Sequence, residues 1–165
     1  MRIAGTVQDS IVDGPGMRLT LFTQGCPHGC PGCQNPQTHD FNGGKERSVQ
    51  SVIDEMLENP LTDGLTLSGG EPFAQCEDCA AVARAARENG LNVWAYSGYT
   101  FEQLLERSKE DPAVTELLSF TDVLVDGPFV LEKKSMDCKW RGSTNQRLID
   151  VKKSLGAGAA VEREA

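Results

Sequence analysis

The sequence predicts an α/β fold, a partial and open parallel β/α barrel, and three observations carry that reading. Short apolar stretches alternate with amphipathic helical ones along most of the chain, the pattern of a largely parallel sheet. The chain has 165 residues, whereas a closed eight-stranded barrel takes about 250, so only part of a barrel can be supplied. The most irregular loops, rich in cysteine and glycine, follow expected strands, at the carboxyl ends where such sheets place their chemistry.

Strands are expected over residues 3–7 and 19–22, separated by the turn-forming Asp13-Gly14-Pro15-Gly16. A loop from about residue 24 to 44 is too irregular for helix or sheet. Val49, Val52, Ile53, Met56 and Leu57 then recur at helical spacing, with Ser48 as cap and Asn59-Pro60 as stop. The alternation repeats with a strand over 65–67, the loop Ser68-Gly69-Gly70-Glu71-Pro72, an alanine-rich helix over about 78–88 ended by Asn89-Gly90, and a strand over 93–96. Thr100 and Gln103 form a capping box for a helix reaching about residue 109, and Asp111-Pro112 opens another. A strand over 123–125 leads into Asp126-Gly127-Pro128 and a polar segment. Residues 1–151 are expected to form one domain and 152–165 a disordered tail. An open barrel also leaves a cleft and an unpaired sheet edge for a partner protein to cover.

Twenty-four Asp and Glu against sixteen Lys and Arg leave a net charge of −8, with 39% hydrophobic residues. That is ordinary for a soluble globule. A domain of this size buries about 70% of the surface its unfolded chain exposes, so any metal is expected to serve function rather than the core. The carboxylate excess argues against a nucleic-acid partner, since affinity for phosphate backbones comes from Lys and Arg. No stretch approaches the roughly 20 apolar residues of a membrane span, and Gln8 and Asp9 interrupt any signal-peptide pattern. The expected location is cytoplasmic, where thiols stay reduced, so six cysteines point to metal or redox chemistry.

Cys26-Pro27-His28-Gly29-Cys30-Pro31-Gly32-Cys33 places three thiols within eight residues. A 4Fe-4S cluster ordinarily takes four thiolates, so three leave one iron open, and an open position is what separates catalytic metal sites from structural ones. Zinc completed by Cys76-Glu77-Asp78-Cys79 is a second reading. It requires a spacer much longer than the usual 15 to 20 or so residues and leaves Cys26 unexplained. Cys76 and Cys79, at a helix start where thiol acidity can be lowered, are read as incidental thiols, a redox or auxiliary metal pair, or a partner contact; Cys138 likewise stays outside the site. His28 is a polar residue near the cofactor, and His39 is unassigned.

The three-then-two spacing of this triad resembles that of the radical S-adenosylmethionine enzymes, and Ser68-Gly69-Gly70-Glu71-Pro72 resembles their second motif. The resemblance implies a partial barrel of the radical S-adenosylmethionine type, with one 4Fe-4S cluster on Cys26, Cys30 and Cys33 and S-adenosylmethionine on the fourth iron. The reduced cluster then cleaves the sulfonium to methionine and a 5'-deoxyadenosyl radical. Gly32, Cys33, Gln34, Gly69, Gly70 and Glu71 are the implied cofactor contacts, Glu71 as acceptor for an ammonium. No catalytic residue is expected beyond the cluster ligands. Where Gly32 stands, many members carry an aromatic residue.

Asp13-Gly14-Pro15-Gly16, Tyr96-Ser97-Gly98-Tyr99, Leu124-Val125-Asp126-Gly127-Pro128-Phe129 and the run from Trp140 to Arg147 recur together in one subfamily. Over about residues 5 to 151 the chain is similar to the anaerobic ribonucleotide reductase activating proteins. This implies hydrogen abstraction from a glycine of anaerobic ribonucleoside-triphosphate reductase, forming its glycyl radical, with reduced flavodoxin or ferredoxin as electron donor. The alternatives are an activase of another glycyl radical enzyme of the pyruvate formate-lyase type, and a non-enzymatic zinc-stabilised binding module. Asp126 is read either as a turn residue or as a contact to cofactor ribose or partner peptide. Arg141, Asn145 and Arg147 suit recognition of carboxylate or peptide groups.

Overall fold

The computed structural model describes residues 1–164; Ala165, the last residue of the expected tail, lies outside the described residues. Seven strands, β1 (Arg2–Ser10), β2 (Arg18–Thr23), β3 (Lys45–Glu46), β4 (Gly64–Gly69), β5 (Asn92–Tyr96), β6 (Val123–Asp126) and β7 (Arg147–Asp150), form one open sheet in the order β3-β1-β2-β4-β5-β6-β7. The central four, β2, β4, β5 and β6, run parallel. Antiparallel strands flank them, β1 and β3 at one end and β7 at the other. The helices are α1 (Val49–Glu58), α2 (Cys76–Glu88), α3 (Phe101–Ser108), α4 (Pro112–Phe120) and α5 (Val151–Ala157). Among the described residues no helix is long and apolar enough to cross a membrane.

The period of two along each strand divides the molecule. Leu19, Leu21, Leu65, Leu67, Val93, Ala95 and Leu124 enter one core with the buried faces of the helices. The alternate residues face the other way, with Thr20 paired to Thr66 and Thr66 to Trp94 across neighbouring strands. That second face carries only a small cluster of Trp94, Val123, Val125 and Leu148, joined by Tyr96 and Trp140 and by no helix. The helices therefore cover one face and leave the other free to wall a cavity.

The expected helix signals hold: Ser48 caps α1, Thr100 and Gln103 make the capping box of α3, and Asp111 caps α4 with Pro112 behind it. Strand β7 was not expected. With only Leu148 and Ile149 buried among its four residues, it is too short to show a period. The disordered tail expected from residue 152 is also overturned. Asp150 caps α5, accepting from the Lys153 N–H at 3.0 Å, and Gly158 ends it in the left-handed region at φ 70°. The chain then returns along β7, where Asp150 N donates to Val161 O and Arg163 N to Leu148 O, both at 2.9 Å. Low hydrophobicity hid this order, which comes from two buried anchors, Val151 and Ser154, and from backbone pairing. The edge expected to await a partner is thus partly covered by the chain's own end.

Arg18 is fully buried where the 13–16 turn meets β4. Its Nε donates to Thr66 Oγ1 at 2.7 Å, Nη2 to Leu65 O at 2.9 Å and Nη1 to Pro15 O at 2.9 Å. Burial pulls its pKa down to about 10, still leaving it charged at neutral pH. Gly64 makes room for it, since a Cβ there would stand 2.5 Å from Nη1. Arg18→Met keeps the stem and deletes the donors, orphaning buried acceptors. The expected loss is about 2–3 kcal/mol of unfolding free energy, read from the urea midpoint, and a variant as stable as the parent would refute this role.

Candidate functional site

Parallel strands bring three loops to the same end of the sheet. The loop leaving β2 carries the cysteine triad, the one leaving β4 carries Gly70 and Glu71, and the one leaving β5 carries Ser97 and Gly98. Cys26, Cys30 and Cys33 all line one cavity of about 110 Å³, together with Gly69, Gly70 and Tyr96. All are free thiols. Burial pushes the Cys26 thiol up, while the backbone N–H groups of His28 and Gly29 bond it and act the other way. The Asn35 N–H donates to Cys33 Sγ at 3.4 Å. The backbone donors on Cys26 favour a thiolate, the form that binds metal. Among the described residues no three His, Cys, Asp or Glu side chains gather as ligands of one ion. A four-iron cube asks for no such gathering, because its thiolates bind different irons.

The triad loop is stapled to the turn over Pro36–Thr38: Gly25 N donates to Thr38 O at 2.7 Å and Cys26 N to His39 O at 3.1 Å. The β4 loop lies directly on it. Gly70 N donates to Thr23 O and Glu71 N to Gly25 O, both at 2.8 Å. A Cβ on Gly69 would stand 2.6 Å from Thr23 N, and one on Gly70 would stand 2.4 Å from Gly25 O. The two glycines are therefore required by backbone packed on backbone, in addition to lining the cavity.

Glu71 departs from its expected part as an ammonium acceptor. Its side chain is wholly buried and lines neither this cavity nor the adjoining one. Oε1 accepts from Gly98 N at 2.8 Å and Oε2 from Phe73 N at 3.1 Å, while the Ser97 hydroxyl lies within 3.0 Å of both oxygens. His28 Nε2 is 2.6 Å from Oε1 and, facing an acceptor-only carboxylate, is the donor. The His28 ring meets Tyr99 edge-on at 4.5 Å and fills the space a Cβ on Gly98 would need. Sequence reading missed this network; its one local signal was a Ser-Gly pair following a strand.

A second cavity of about 250 Å³ shares Cys33, Tyr96, Phe129 and Gln146 with the first and adds Asp13, Gln34 and Arg141. Tyr96 Oη donates to Trp140 O at 2.7 Å, and burial pushes the Tyr96 pKa up, keeping it a donor. Trp140 sits at φ 66°, a conformation uncommon for a bulky side chain, held by that bond and an edge-on contact to Trp94 at 5.8 Å. Gly32 lines neither cavity. It has φ 75°, and a Cβ there would stand 2.7 Å from Leu131 Cδ1, so Leu131 occupies the place of a side chain at 32.

Of the polar residues expected to recognise ligand groups, Arg141 reaches the second cavity, and its Nε has no partner among the described residues. Asn145 Nδ2 instead donates to Pro128 O at 2.8 Å. Asp126 is 1% exposed, accepting from the Phe101 N–H at 2.7 Å and bonding Arg147. Hydrogen bonds to Asp126 and Glu102 hold the Arg147 guanidinium firmly charged. These two residues are committed to each other and line neither cavity. Cys76 and Cys79 lie in the main core behind the sheet. Burial pushes Cys76 up to about 12 and Cys79 further in the same direction, so the acidification expected from the helix start is outweighed.

The open sheet and the triad-lined cavity at its loop end define a radical S-adenosylmethionine iron–sulfur protein, and a family model for a 4Fe-4S single cluster domain matches residues 12–149. The anaerobic ribonucleoside-triphosphate reductase-activating protein of Escherichia coli (strain K12) is 35% identical over 146 residues, covering 82% of this chain and 90% of its own. Its counterparts in Vibrio cholerae serotype O1 and Enterobacteria phage T4 are 36% and 34% identical, over 82% and 83% of this chain and 89% and 86% of theirs. The chain belongs to the family of anaerobic ribonucleoside-triphosphate reductase-activating proteins.

Removing the Glu71 carboxylate orphans its buried donors. Glu71→Ala is therefore expected to cost about 3 kcal/mol or more, while Glu71→Gln, which keeps an acceptor oxygen, should cost less. Thermal unfolding of the cluster-free chain checks both, and an unchanged Glu71→Ala midpoint would show that the network is dispensable.

Proposed function

We propose that this chain activates an anaerobic ribonucleoside-triphosphate reductase by making a glycyl radical on it. The observation that carries the reading is the meeting of three free thiols on one cavity, with a glycine pair from the next parallel strand lining the same space. When bound, a 4Fe-4S cluster with S-adenosylmethionine supplies one-electron cleavage of the sulfonium to methionine and a 5'-deoxyadenosyl radical, which takes a hydrogen atom from the substrate glycine. Cys26, Cys30 and Cys33 are the residues that would hold the cluster, leaving one iron for the cofactor. Gly69 and Gly70 allow close approach of a ligand from the β4 side, and Cys33 and Gln34 from the β2 side. Glu71 acts through the loops it ties together and is a positioning residue.

Tyr96 and Phe129 border both cavities and present ring surface, which keeps water from a reactive carbon. The open sheet leaves a mouth through which a polypeptide loop can enter. Reduced flavodoxin or ferredoxin is the proposed electron donor, and the cytoplasm, which keeps thiols reduced, the proposed location.

Anaerobically prepared protein should be brown and contain iron and labile sulfide. Changing Cys26, Cys30 or Cys33 singly to Ala should abolish both 5'-deoxyadenosine formation and the doublet in the electron spin resonance of the reductase. Full activity in any one variant would remove that cysteine from the ligand set; a doublet only on a different glycyl radical enzyme would reassign the substrate.

A further inference from the structure

The segment over residues 128–146 forms a flap with two distinct faces. It is knitted to itself: Thr144 N donates to Lys133 O at 2.9 Å, Ser135 N to Gly142 O at 3.2 Å, and the Gln146 side chain accepts from Gly142 N at 2.8 Å. It is anchored inward at two points. Leu131 fills the space above Gly32 in the cluster loop, and Trp140 is held by Trp94 and Tyr96. The inner face, with Phe129 and Arg141, is committed to the cavities.

The outer face lines neither cavity, and among the described residues the one engagement of its lysine side chains is Lys139 Nζ over the Trp140 ring at 5.2 Å. Between the anchors it exposes Lys133, Lys134 and Lys139, none in an ion pair with a carboxylate among the described residues. Met136 is 87% exposed and Leu131 48%. Residues 131–140 hold three lysines against two carboxylates, Glu132 and Asp137, a local positive excess in a chain of net charge −8. An acidic partner is repelled by the molecule as a whole and drawn to this spot, which is how charge steers an encounter.

We propose that the outer face of this flap docks the electron donor, a small acidic redox protein. The proposal rests on the reading that the chain carries a reducible cluster. Lys133 and Lys134 follow within three residues of Leu131, which touches the cluster loop, so a carrier seated there stands beside the group it must reduce. A few lysines without carboxylate partners around one exposed methionine suit a weak, transient encounter, the kind redox partners make. Docking outside the flap also leaves the mouth open for the polypeptide substrate, so the two partners need not compete.

The test uses protein with its cluster in place, a reduced flavodoxin as probe, and photoreduced deazariboflavin as a small neutral reductant. Cluster reduction is followed by stopped-flow absorbance. Lys133→Glu, Lys134→Glu and Lys139→Glu together should slow reduction by flavodoxin about tenfold or more at low ionic strength. The variant should also lose the salt dependence of the parent rate, with reduction by deazariboflavin unchanged. The three Lys→Gln changes should give an intermediate rate. An unaffected flavodoxin rate overturns the proposal, as does a variant impaired only in glycyl radical yield with deazariboflavin, which would hand the surface to the reductase. Because reduction is read at the cluster, it remains decisive if the parent fails to cleave S-adenosylmethionine, a result that would instead defeat the functional reading.

Discussion

A buried carboxylate with every oxygen occupied holds the functional end of this protein together. Glu71 sits on the loop leaving β4, and its donors come from the loops leaving β2 and β5 as well as from its own. An isolated buried carboxylate is costly, and the cost is offset only where hydrogen bonds satisfy it. The three loops are therefore bound to one relative arrangement, since moving any of them strands a charge. The backbone crossing of Gly70 on Gly25 reinforces the arrangement from the other side. In small metal-dependent domains, ligand binding must bring about folding. Here the Glu71 network and a buried core give the loops protein contacts of their own, and the three thiols beside them are half-exposed.

The location of the cavity follows from how the sheet is used. Residues at one parity along β2, β4, β5 and β6 enter the helix-covered core, and those at the other parity are left to the uncovered face. There Arg18, hydrogen-bonded to carbonyls and Thr66, draws the Asp13 turn across the strands, and Thr66 Oγ1 donates to Asp13 O at 2.7 Å. That brings Asp13 to the second cavity from a turn that precedes β2 in the chain. At the opposite edge, β7 and the returning tail supply antiparallel pairing that ends the sheet without closing it.

What could be read in the sequence was what is contiguous. The triad, the Gly-Gly-Glu loop and the capped helices each lie within a few residues, and the structure has them. The network around Glu71 is not legible in the sequence because its partners His28 and Ser97 stand 43 and 26 residues away. Asp126, which the sequence offers as a turn residue or a ligand contact, and Arg147, which it offers as a recognition group, are one pair 21 residues apart. For Cys76 and Cys79 the competing effects differ in size. A helix terminus contributes about 0.3–1 kcal/mol, whereas full burial shifts a pKa by up to about 3–5 units, so burial decides, and burial is a tertiary fact. Strand β7 and α5 were invisible for a related reason: short elements stabilised by pairing and packing carry almost no signal of their own.

Gly32 shows how one backbone angle propagates outward. Its left-handed φ disfavours a side chain at that position in the cluster loop, and an apolar cover must then come from elsewhere. Leu131 provides it from the flap, so flap and cluster loop pack as one unit instead of two independent loops. The strained Trp140 persists because the contacts on either side of it over-determine its conformation. The lysines between the pins thus lie on a segment tied to the cluster loop through Leu131 and to β5 through Trp140.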